Sequence, residues 1–128
     1  MRAVDTNVLV RLLTRDNRRQ AAAAELFVAS GAWVSHLVLA ETTWVLSTVF
    51  SRSSSQIAGA IAQLLEHETL VLEDPDTVSL ALTHLINKPA PGFSDCLILE
   101  IARRAGHSPL GTFDRDLGKL DGTTRLKG

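Results

Sequence analysis

The chain has 128 residues, a formal net charge of −1, and 45% apolar and 21% charged residues, which predicts one globular domain over residues 1–128. Such a balance gives no basic footprint of the kind that marks a whole domain as nucleic-acid-binding. No run approaches the roughly 20 apolar residues that cross a bilayer, and the single cysteine, Cys96, excludes an internal disulfide.

Polar Asp5, Thr6 and Asn7 interrupt the start before an apolar signal segment could form, so a reducing, cytoplasmic setting is expected. Cys96 stands in an apolar run to Leu99 and reads as a small buried hydrophobe rather than a catalytic thiol. Two local basic groups, Arg11 to Arg19 and Arg103 to Lys119, read equally well as solvated surface.

In chain order, Met1 to Val4 predicts a first strand that ends at Asp5, and Thr6 to Leu13 a helix with Val8, Leu9, Leu12 and Leu13 on one side. Asp16 or Asn17 caps a second helix, alanine-rich over 20 to 30 and stopped at Gly31. Ala32 to Ser35 reads as a strand, and Ser35 as the cap of an apolar helix from His36 to about Phe50. After the serine-rich turn 51 to 55 come a helix from Gln56 to Glu66 and a strand from Thr69 to Leu72. Asp74 before Pro75 opens a helix that reaches about Ile86. Lys88 to Phe93 is a loop, and Ser94 caps a helix from Asp95 to Ala105. Pro109 to Thr112 predicts a strand leading into Asp114 and Asp116, and Thr123 to Leu126 a final edge strand. Short strands alternating with helices point to an α/β fold with a mainly parallel sheet.

In such sheets ligands bind outside the carboxyl ends of the strands, where Asp5 and Asp114 are expected. Most of the fourteen acids read as caps or solvated surface, and Glu100, about 140° around its helix from Asp95, reads as outer face. Glu41 stands in a helix otherwise suited to the core, and Asp95 opens the last long helix. Burying a carboxylate is costly unless it is paired or holds a metal. Carboxylates that converge repel one another, and their hard oxygens favour Mg2+ with Mn2+ as a substitute. His36, His67, His84 and His107 are scattered, with no zinc-type spacing, and read as surface or structural.

Four segments, VDTNVLVRLL, HLVLAETTWVL, GFSDCLILEIARRAG and PLGTFDRDLGKLDG, resemble in the same order those of PIN-domain nucleases, most closely the VapC-type toxins of toxin–antitoxin pairs. The resemblance runs from residue 1 to about 122. It implies a three-layer PIN fold, divalent-metal-dependent RNA cleavage and inhibition by a cognate antitoxin protein. By position, the catalytic acids would be Asp5, Glu41, Asp95 and Asp114. The metal would be held by Asp5, Asp95 and Asp114, with Asp116 as an alternative or fifth acid. Thr6, Asn7 and Thr112 would orient these carboxylates or nearby water. The reaction expected is in-line hydrolysis of a phosphodiester.

Two rival readings remain. One is a non-catalytic module that keeps the fold and docks partners. The other is a phosphatase of the haloacid dehalogenase type with Asp5 as nucleophile, although Asn7 stands where such enzymes carry a second aspartate. Trp33, Trp44 and Phe50 suit a dimer face as readily as a core, and a homodimer is expected.

Overall fold

A computed structural model describes residues 1–128. Strand β1 (Arg2–Ala3) leads into α1 (Thr6–Thr14) and α2 (Arg18–Val28). Strand β2 (Ala32–Val34) is followed by α3 (His36–Thr48) and α4 (Ser54–Glu66), and β3 (Leu70–Leu72) by α5 (Pro75–Asn87) and α6 (Phe93–Arg104). Strands β4 (Leu110–Thr112) and β5 (Thr123–Arg125) flank a 3-10 turn at Leu117–Lys119.

The central sheet is parallel in the order β1-β2-β3, with Ala3 opposite Trp33 and Trp33 opposite Val71. Two-residue periodicity decides its faces. Ala32, Val34, Leu70 and Leu72 enter the core, while Trp33 and Val71 on the opposite face stay 39% and 45% exposed. Core partners come from the helices, chiefly Leu9, Leu39, Ile61, Leu97 and Leu99, all at most 1–2% exposed. This is the expected α/β architecture of a short parallel sheet flanked by helices.

Caps explain most boundaries. Asn17 accepts from the amide of Gln20, Ser35 from Val38, and Ser53 from Gln56 with the Gln56 side chain returning to the Ser53 amide. That capping box starts α4 two residues before the expected Gln56. Other expectations fail for local reasons. Ser94 is not the cap of α6: the chain enters from Gly92 at φ 81°, so Phe93 is the first helical residue and Asp95 sits inside the first turn. Asp74 does open α5, with Pro75 the first helical residue as expected, but its side chain makes no cap bond to the helix amides. It adopts φ 40° and turns its carboxylate to the Thr77 hydroxyl (2.8 Å) and the Arg104 guanidinium (3.3 Å).

The largest departure concerns β4. It pairs in parallel with β5 in a separate two-stranded ribbon and forms no ladder with β1. Asp5 and Asp114 therefore end strands of two different sheets, not of one shared edge. The ribbon is anchored by buried Leu117 and Leu120 and by a hydrogen bond from the Arg103 guanidinium to the carbonyl of Asp121.

Candidate functional site

Asp5 follows β1 and caps α1: its Oδ1 accepts the amide of Val8 at 3.1 Å. The carboxylate is exposed and opens, with Asn7, onto a groove between α1 and α2. Thr6 is half-buried in the first turn of α1.

Glu41 does not lie in the core. Leu37, Glu41, Trp44 and Thr48 recur at the spacing of one helical face, and that face of α3 is exposed. The opposite face buries Leu39, Thr42, Thr43 and Leu46, with both threonine hydroxyls satisfied by carbonyls of the preceding turn.

Asp95 is half-buried. Burial, and after it the charge of Asp114, raise its carboxyl above the ordinary value of 3.8. The last long helix and the ribbon thus bring these two acids within each other's field. Asp114 is held from two sides: its amide donates to Thr112 Oγ1 at 3.0 Å, and its Oδ2 accepts the amide of Leu117 at 2.7 Å. Asp116 faces cations instead, with Arg115 Nε at 3.7 Å and Lys119 Nζ at 3.8 Å.

The buried acid is one that the sequence reading assigned to the outside. Glu100 is 4% exposed; its Oε2 lies 2.7 Å from His84 Nε2 and 3.6 Å from Arg103 Nε. Its angle from Asp95 is indeed large, but that direction leads into the core. Phe93, Cys96 and Leu97, at spacings of seven, four and three before it, are all buried, and this stripe was the signal available. His84 is accordingly a structural residue. Cys96, fully buried beside it, has its thiol pushed up to about 11 by burial and then by the charge of Asp95, so it is no nucleophile at neutral pH.

The two basic groups are largely neutralised within the chain. Arg11 pairs with Asp16, Arg15 with Glu25, Arg103 with Glu100, Arg104 with Asp74, and Lys119 with Asp116. Of these two groups only Arg18 and Arg19, exposed at the start of α2, stand without an ion pair.

The family model of the PIN domain matches residues 2–123, whereas no curated protein and no solved structure matches the chain. PIN-domain proteins are generally nucleases that use divalent metal ions. The acids of this chain suit such an ion in donor chemistry: all offer hard oxygens, Asp95 and Asp114 repel one another, and Asp5 and Asp114 each have one oxygen outside their cap bonds. They do not converge into a closed shell, since no three acid, histidine or cysteine side chains gather closely enough to hold one ion. With the α/β fold and the match over nearly its whole length, the chain belongs to the PIN-domain family.

Proposed function

We propose that this chain is a magnesium-dependent endoribonuclease of the VapC toxin type, acting in the cytoplasm as a homodimer and restrained by a cognate antitoxin protein. The observation that carries the reading is the approach of Asp95 and Asp114 from elements far apart in sequence, where burial first and then the charge of Asp114 raise the Asp95 carboxyl. Two acids held in mutual repulsion cost stability, and a site for a cation gives that cost a use.

In this reading Asp5, Asp95 and Asp114 hold the ion, directly or through water since the three do not close around one point, and Glu41 completes the acidic edge from the exposed face of α3. Asp114 is favoured over Asp116 for the fourth position because Asp116 is engaged by Arg115 and Lys119. Thr112 fixes the backbone beneath Asp114 through its hydroxyl, and Thr6 and Asn7 flank Asp5 at the start of α1. A bound divalent ion supplies water activation and neutralisation of charge on the leaving oxygen. Trp33 and Val71, side by side on the open sheet face, are the apolar area that supports a dimer.

The test is cleavage of a mixed RNA pool by metal-depleted protein to which Mg2+ or Mn2+ is returned. Cleavage should require the ion and fall at least a hundredfold in Asp5→Asn and Asp95→Asn. Full activity of metal-depleted Asp5→Asn protein would overturn the proposal. The spread of the carboxylates favours a second reading, a non-catalytic PIN-fold binding module. Absence of cleavage with every divalent ion, by protein that still binds RNA, would establish it.

A further inference from the structure

Beside Asp95 lies a cavity of about 340 Å³ between α3, the start of α4 and the loop into α6. Its walls include Trp44, Ser47, Arg52, Ser54 and Ser94. The volume is at the small end of the range for ligand sites, roughly 300 to 1,000 Å³, so it suits one nucleotide rather than a folded segment.

Three features of its lining belong together chemically. Trp44 is 63% exposed on a helix that has better apolar residues to bury, and its indole has no aromatic or cationic partner. Arg52 is half-buried in the cavity wall and its guanidinium pairs with no carboxylate, as is true also of Arg2, Arg18, Arg19 and Arg125, none of which lines this cavity. The capping box at Ser53 and Gln56 satisfies two amides at the start of α4. It leaves those of Ser54 and Ser55 without an acceptor inside the helix, on the wall that Ser54 supplies. An open indole face, a free guanidinium and outward amides at a helix start match a nucleobase and its phosphate.

We propose that this cavity binds one nucleotide of single-stranded RNA adjoining the acidic site, with the base stacked on Trp44 and the phosphate held by Arg52 and the first turn of α4. Asp95 lies on its wall, so a strand seated here reaches that acid directly. The inference rests on the ribonuclease reading, but it concerns binding and can be tested apart from cleavage.

The probe is a six-nucleotide oligoadenylate, fluorescein-labelled, in EDTA, with affinity read by anisotropy. Trp44→Ala should weaken binding about tenfold, the usual scale of one lost base stack, with most of the loss restored in Trp44→Phe, and Arg52→Gln should weaken it about tenfold through loss of a charge-assisted phosphate contact. In Trp33→Phe protein, unlabelled oligoadenylate should quench the remaining Trp44 emission. Under cleavage conditions the same substitutions should raise KM and leave kcat within about threefold. Unchanged affinity in both variants, or unquenched Trp44 emission, overturns the subsite. Cleavage at unchanged KM overturns it too, while leaving the nuclease reading intact. Quenching by oligoadenylate without cleavage by any divalent ion supports the subsite and removes the nuclease reading instead.

Discussion

Asp5 would have two separable duties, holding the ion in the proposed site and, through its Oδ1, capping α1 at the amide of Val8. Asn can cap as well as Asp, whereas Ala cannot. Asp5→Ala should therefore lose about 1 kcal/mol of stability in denaturant melts, and Asp5→Asn only a few tenths, while both lose cleavage equally. Equal stability of the two variants would show that the cap contributes nothing. Asp95 carries a pH signature. Its folded carboxyl is raised, so the folded state binds its proton more readily than the unfolded state does. The associated stability is complete below the ordinary value of 3.8 and is lost as pH rises through the raised value. In metal-free buffer Asp95→Asn should melt higher than the parent at pH 7, with the gain vanishing near pH 3. A gain largest at low pH would contradict this. At this scale the sequence was only partly legible. Acid identity and order can be read along the chain, but depth cannot: apolar neighbours around Glu41 suggested burial, and the acid actually taken inside is Glu100.

Helices and their caps were more readable, because capping chemistry is local and Asn17 and Ser35 carry the acceptor in their own side chains, although the capping box at Ser53 went unread within its serine-rich turn. The start of α6 was harder, since a backbone turn at Gly92 did what a serine was expected to do. The contact between α5 and α6 was not readable at all. It brings His84 and Glu100, sixteen residues apart, to 2.7 Å, and nothing in either helix alone announces the pairing. His84→Ala leaves the buried carboxylate with only Arg103 at 3.6 Å and should cost about 1 to 3 kcal/mol. Glu100→Leu should cost less than His84→Ala, because it removes the acid that needs a partner. Denaturant unfolding of the two variants decides the order, and a larger loss in Glu100→Leu would make the pair a net source of stability.

The molecule as a whole consists of a central sheet packed on its core face by helices and a small ribbon carrying Asp114. Parallel pairing between distant strands leaves no mark in a single sequence, so β4 and β5 were predictable as strands but not as a sheet of their own. A two-stranded ribbon is weak by itself. It relies here on Leu117, Leu120 and the bond from Arg103 to Asp121. Amide hydrogen exchange should find β4 and β5 opening well before α3, α5 and α6, whose buried faces make the core. Protection of the ribbon equal to that of α6 would mean that the two parts open as one. Leu120→Ala should raise ribbon exchange selectively and lower cleavage with it, because the ribbon sets where Asp114 stands.

Asp5 and Asp114 share one economy of construction. Each spends one carboxylate oxygen on the amide three residues ahead, Val8 in one case and Leu117 in the other. Folding thereby removes the rotational freedom of both side chains before any ligand arrives, and the free oxygen of each keeps a fixed bearing. A cation or phosphodiester that meets them has less disorder to remove, at about 0.5 to 1.5 kcal/mol for each side chain already immobilised. Two acids that lie exposed are, in entropic terms, already prepared.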